Sequence, residues 1–250
     1  MSNRLIAVML VLLLVLAVPL FAAKFWDSKD FTKWTEKECL EMLNKSPWAF
    51  SNGFGNVGPA VLDSLGGSTN PADPSRITGT TYGERESSQI FQFRILTASS
   101  VRAAIAQLQL LHDPSLKERA RRIVEAKPGD QIIIQFEYRS EPPGSSALHD
   151  IHSYFLHATL ADFRTVTYLA SDKVDLLPVK DYLAPNDQRP KPAFLFPRFT
   201  QDGEPWFTGR EKTITFRSVF QPEVRGKKQK YEIFVKMNPK EMFFQKEFAF

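Results

Sequence analysis

The sequence predicts an α+β fold with a mostly antiparallel sheet of about six strands and three to four helices, set behind an apolar N-terminal segment. Three observations predict it. Period-two alternation of apolar and polar residues recurs around 89–95, 132–139 and 231–237. Helical patterns fall between the early strand patterns. Strand patterns then cluster late in the chain, which suits an antiparallel sheet with helices inserted into it better than alternating βα units. The composition is sufficient for this: 250 residues, 43% hydrophobic and with 21 phenylalanines, can fill one sizeable core.

The segment preceding the fold sets the expected address. Leu5 to Ala23 is almost purely apolar and is preceded by Arg4. Its length, about 19 residues, lies near the lower limit of a bilayer span. It reads either as a signal peptide or as an uncleaved N-terminal membrane anchor. Pro19, Ala22 and Ala23 supply an exit for cleavage, although Leu20 or Phe21 fits poorly at the third position before the cut. Lys24, Lys29, Lys33 and Lys37 outnumber Arg4, which opposes export by the charge rule. A leader-type run at an N-terminus nevertheless favours it. The expectation is an exported protein, periplasmic or anchored in the inner membrane and facing the periplasm, with the membrane as a partner through Leu5–Ala23 if uncleaved. Cys39 lies too far downstream for lipoprotein anchoring.

The remainder divides into a connector and docking helix (24–50), a Gly/Pro-rich flexible loop (51–87) and an α+β core domain (88–250). Phe25 and Trp26 suit either a membrane interface or packing on the domain. Thr35 and Glu38 form a T-x-x-E capping box ahead of a helix over 36–45, whose Cys39, Leu40, Met42 and Leu43 give it a buried face and which Pro47 stops. Residues 51–87 hold seven glycines and three prolines with no sustained period. From Gln89, Phe91, Phe93 and Ile95 share one face of a strand.

Ser99 or Ser100 caps a helix through Val101, Ala104, Ile105, Leu108 and Leu111. Asp113-Pro114 starts another, which Pro128-Gly129 ends. Ile132, Ile134, Phe136 and Tyr138 alternate along a second strand, and Glu141-Pro-Pro-Gly144 turns the chain. A helix over 145–160 points Leu148, Ile151, Phe155 and Leu156 inward. Strands are expected at 165–169, 212–220, 231–237 and 242–250. Residues 221–230 form a basic hairpin-type loop around Gly226. Pro197 demotes 194–199 to an edge or a strand end.

Trp34, Cys39, Leu43 and Ser46-Pro47-Trp48-Ala49 resemble the N-terminal signature of a family of uncharacterised exported bacterial proteins, a W-x(4)-C…S-P-W-A pattern. The later strand–helix segment and Phe194-Leu-Phe-Pro-Arg198 are also similar. The resemblance implies export and a single folded domain; it brings no activity, cofactor or catalytic residue.

Residue patterns that can carry chemistry are incomplete. Gly53-Phe-Gly55-Asn-Val-Gly58 matches G-x-G-x-x-G but lacks the strand before and the helix after that a dinucleotide site needs. His149 and His152, with Asp150 between, could approach one metal; His157 is offset around the helix, and zinc needs three or four ligands. Cys39 sits among apolar helix neighbours, where a thiol is inert. No G-x-S-x-G elbow occurs, and Glu84 and Glu86 read as solvated charge. The alternation of Met242, Phe244, Phe248 and Phe250 suggests the last strand of an outer-membrane barrel, but the strands are too few for one.

Two basic clusters, Lys117/Arg119/Arg121/Arg122 and Arg225/Lys227/Lys228/Lys230, could meet anionic headgroups or an acidic partner. A net charge of +4, from 32 basic and 28 acidic residues, points to no nucleic acid. The expected function is a non-catalytic binding or interaction domain of the envelope, with an envelope protein as a possible partner and no catalytic, cofactor-binding or metal-ligating set assigned. The alternative is an envelope hydrolase with its site near the 51–87 loop or on the His149/His152 helix.

Overall fold

The computed structural model describes residues 24–55, 88–141, 143 and 146–250. The apolar run and most of the 51–87 segment, with Gly58, Glu84 and Glu86, lie outside them. The architecture is α+β with antiparallel sheets. The strands are β1 (Ala49–Phe54), β2 (Ser88–Ile95), β3 (Gln131–Glu141), β4 (Tyr168–Ser171), β5 (Leu177–Pro178), β6 (Asp181–Leu183), β7 (Ala193–Pro197), β8 (Ile214–Phe220), β9 (Glu223–Val224), β10 (Lys227–Lys228), β11 (Tyr231–Met237), β12 (Phe243–Phe244) and β13 (Glu247–Phe248). A five-stranded sheet runs β1-β2-β3-β7-β6 and a four-stranded one runs β11-β8-β4-β5; β9/β10 and β12/β13 are hairpins.

The two larger sheets face one another across an aromatic core. Alternation sends Phe91, Phe93 and Ile95 of β2 to one face, in register with Tyr138, Phe136 and Ile134 of β3. Phe194 and Phe196 of β7 continue that face beside Ile134 and Ile132. The facing sheet answers with Phe216 and Phe220 of β8 and Tyr231 of β11. Phe93 lies 5.4 Å from Phe216, and Phe91 lies 4.9 Å from Phe220, ring centre to ring centre. Edge-to-face pairs of this kind add about 0.5–1.5 kcal/mol each beyond their burial.

Six helices dress the sheets among the described residues: α1 (Phe25–Ser28), α2 (Glu36–Lys45), α3 (Ser99–His112), α4 (Lys117–Glu125), α5 (Ser146–His157) and α6 (Leu160–Phe163). From α5, Phe155 inserts against Phe136 at 4.9 Å and Phe220 at 5.0 Å, and its carbonyl accepts from the Tyr182 hydroxyl at 2.7 Å. The capping box at Thr35 and Glu38 forms as the sequence predicts, with Glu38 Oε2 accepting from Thr35 N at 2.9 Å. The connector is not separate from the domain: Trp26, Trp34, Cys39, Met42 and Trp48 are buried in the same core as the sheets. On the outer face, Arg94 ties α2 to the sheet. Its guanidinium donates to the Leu43 carbonyl (2.7 Å), to Asn44 Oδ1 (2.8 Å) and to Glu137 Oε1 (2.6 Å).

Several expectations are corrected. Residues 51–54, read as loop, extend β1 and pair with β2; backbone pairing overrides a glycine-rich composition there. Of the two readings of Pro197, the strand end holds and the edge does not: Pro197 is the last residue of β7. β7 lies between β3 and β6, and Pro197 sits opposite Gln131 at the last register position, where its missing N–H matters least. The stretch 242–250 is no single strand: Gln245 (φ 52°) and Lys246 (φ 68°) are left-handed and fold it into the β12/β13 hairpin. The strand expected at 165–169 begins at Tyr168 and runs to Ser171. Leu40 and Leu156, expected inward, are exposed, and the N-cap of α3 is Ala98, with Ser99 and Ser100 already inside the helix.

Candidate functional site

Taken residue by residue, the sequence-derived candidates disperse. Cys39 is fully buried on α2. Burial, then the nearby Glu38 and Glu36 charges, push its thiol up to about 11. The thiolate needed for nucleophilic work is therefore scarce at neutral pH. Gly53 is a strand residue of β1, and Gly55, at φ 116°, follows it.

The α5 histidines go three separate ways. His152 Nδ1 and the Tyr138 hydroxyl share a hydrogen bond of 2.7 Å, His157 Nδ1 lies 2.8 Å from the Ser153 carbonyl, and His149 is exposed. Asp150 Oδ2 accepts from the Arg225 amide at 3.0 Å. Among the described residues no group of three His, Cys, Asp or Glu side chains could hold a metal ion. Burial pushes the Tyr138 hydroxyl up to about 12, so it stays protonated at neutral pH.

The two basic clusters are partly neutralised. On α4, Arg121 pairs with Glu125 at 2.7 Å, and Arg122 donates to the Glu118 carbonyl. In the turn, Lys230 pairs with Glu232 at 2.9 Å, and Glu232 also takes Arg217 at 2.7 Å. Arg225 and Gly226, both left-handed, close the β9/β10 hairpin.

A different constellation stays open. The register pair Met237↔Ile214 brings the approach to β8 beside the exit of β11. Between them lies a cleft of about 600 Å³, lined by Arg210, Lys212, Thr213, Lys236, Asn238 and Lys240, with Glu211 and Met237. The four cations are exposed, and none makes an ion pair among the described residues. The carboxylates close by already hold hydrogen-bond partners. Glu211 is buried and accepts from Thr208 N (3.1 Å) and Oγ1 (3.0 Å); Glu241 accepts from Asn238 Nδ2; Asp172 accepts from the Lys212 amide at 2.8 Å. That backbone bond, followed by the Lys212 and Lys173 charges, holds the Asp172 carboxyl below its ordinary value despite some desolvation.

Sequence reasoning missed this cleft because its cations come in pairs from two segments that only the β8/β11 register unites. The available signal was the placement of Arg210/Lys212 and Lys236/Lys240 at opposite ends of two strands with hairpin-like spacing.

A second cleft, of about 270 Å³, opens between the start of α3, the end of α4 and the β12/β13 hairpin, with Arg102 on its wall. Arg102 donates there to the Ile123 and Ala126 carbonyls at 3.0 and 2.7 Å, and so caps the end of α4. Among the described residues no helix is long and apolar enough to cross a membrane. Comparison with protein-family models, with curated proteins and with solved structures finds no match for this chain.

Proposed function

We propose that this chain is an exported protein of the bacterial envelope that works as a non-catalytic binding domain, and that what it binds is negatively charged. The observation that carries the reading is the cleft between β8 and β11, lined by Arg210, Lys212, Lys236 and Lys240, none of which makes an ion pair among the described residues. Like charges gathered on one surface repel one another, and an anion that enters relieves that repulsion. Export rests on the leader-type run Leu5–Ala23 and on the S-P-W-A and F-L-F-P-R resemblance. Its expected place is the periplasm or the periplasmic face of the inner membrane.

The test is a titration of the full chain in detergent with a soluble polyanion such as polyphosphate. Saturable binding that weakens as salt rises is the expected result. Labelling of the chain by serine- or cysteine-directed hydrolase probes would instead support an envelope hydrolase. The observation that favours this second reading is the Tyr138–His152 hydrogen bond, where a histidine meets a hydroxyl. Histidine-dependent labelling, lost in His152→Ala, would establish it over binding.

A further inference from the structure

We infer that the β8/β11 cleft docks onto a phospholipid surface carrying anionic headgroups, an inference that rests on the binding reading above. Two features point to lipid rather than to a soluble anion. The first is charge: Arg210, Lys212, Lys236 and Lys240 are exposed and make no ion pair among the described residues, and each cation near an anionic bilayer adds to attraction.

The second is the pair of exposed rings that rim the cleft. Phe234 is 50% exposed, and the Lys236 ammonium sits 5.8 Å from its ring centre. Phe243, 37% exposed, lies against Gly209, the neighbour of Arg210; a Cβ added at Gly209 would stand 3.0 Å from its ring. Exposed rings beside cationic heads match the water–lipid boundary, where aromatics rest among headgroups and cations reach phosphates. A soluble carboxylate-rich partner offers the rings nothing.

The test uses the full chain with lipid discs. Discs of phosphatidylcholine are compared with discs in which phosphatidylglycerol replaces part of it. The readout is the acylation rate of individual lysines by mass spectrometry. Lys212, Lys236 and Lys240 are expected to react about five-fold more slowly in the anionic discs, with high salt removing the protection and Lys117 unaffected. In Arg210→Gln/Lys236→Gln the protection of Lys212 and Lys240 is expected to vanish; these exposed positions leave the fold intact, which thermal melting checks.

Equal rates in the two discs, or protection that survives in the double variant, would overturn the inference. Parallel arms in detergent separate the failures. Protection by inorganic phosphate or polyglutamate without protection by anionic lipid leaves the binding reading standing and removes the lipid one. Protection by none of the three removes both.

Discussion

The indole Nε1 of Trp48 donates a hydrogen bond to the backbone carbonyl of Ala249, joining positions 201 residues apart. Both residues are buried. The next residue, Phe250, is held in the same manner: its backbone oxygen accepts from Arg198 Nη1, while Arg198 Nε donates to the Gly129 carbonyl at 2.8 Å and Nη2 to the Gln131 carbonyl at 3.2 Å. Trp48 belongs to S-P-W-A and Arg198 to F-L-F-P-R. The two sequence motifs thus converge on one structural task, fixing the backbone of 249–250 against β3, β7 and the start of β1.

Trp48→Phe keeps an aromatic ring but strands the Ala249 carbonyl in the core. A buried acceptor left without a partner costs about 1–3 kcal/mol. Urea unfolding is expected to show a loss in that range, and amide exchange to quicken first in the β12/β13 hairpin.

Arg198→Lys keeps the charge but cannot reach three carbonyls from one planar group. Burial, and then the neighbouring Arg102 charge, already lower the Arg198 pKa, and three carbonyl acceptors stabilise its charged form. The lysine is expected to cost about 2–3 kcal/mol in denaturant unfolding, because hydrogen bonds to a charged group are each worth more than neutral ones. A cost no larger than that of an exposed Arg→Lys change, such as Arg119→Lys, would contradict the clamp.

Cys39 is expected to resist iodoacetamide at pH 8 in the native protein and to react at once in denaturant, since its thiol is pushed up to about 11 by burial and by Glu38 and Glu36. Cys39→Ala is expected to lower stability by about 1 kcal/mol, the usual cost of a small buried deletion. It should leave polyanion binding unchanged.

Gly209 sits at φ 80°, and a Cβ there would meet Phe248 Cδ2 at 2.8 Å. Gly209→Ala combines left-handed strain with a ring that must shift, and is expected to cost more than about 1 kcal/mol. Gly203→Ala shares a positive φ (83°) with open space around it and is the control.

Glu137 supplies a pH dependence with a definite sign. Burial alone would raise its carboxyl, but hydrogen bonds from Arg94 and Lys191 outweigh that and hold it below its ordinary 4.5. A carboxyl lowered on folding contributes stability above its unfolded pKa and loses it as pH falls through the folded value. Stability is therefore expected to drop below about pH 4.5. In Glu137→Gln that portion of the acid dependence should disappear, with a lower plateau at neutral pH because Arg94 loses its carboxylate. Melting temperatures across pH 3 to 7 test this.

The fold class and several elements were legible in the sequence because local signals decided them. The capping box at Thr35, the Asp113-Pro114 helix start and the alternation of Tyr231, Ile233 and Val235 all describe their own neighbourhoods, and the structure agrees there. What could not be read depends on partners far away. Pro197 reads as an edge signal until β6 pairs on the other side of its strand. Met242 to Phe250 alternates like a strand until two left-handed residues reverse it, and neither Gln245 nor Lys246 advertises such a turn as Asn-Gly would. The β8/β11 cleft is invisible for the same reason: its four cations are neighbours only through strand register. Spacing along α5 allowed His149 and His152 to approach one metal without assigning them to it, and in the structure Tyr138, from β3, meets His152 alone.

The most direct measurement of the central claim compares two sets of charge removals in the full chain, titrated with polyphosphate in detergent. One is Arg210→Gln/Lys212→Gln/Lys236→Gln/Lys240→Gln in the cleft. The other is Lys117→Gln/Arg119→Gln/Arg121→Gln/Arg122→Gln on α4, which changes net charge equally. If the cleft binds, the first set weakens affinity more than about ten-fold and the second only slightly, as screened surface charge does. Equal losses from the two sets would show that net charge alone attracts the anion, and would contradict a binding site between β8 and β11.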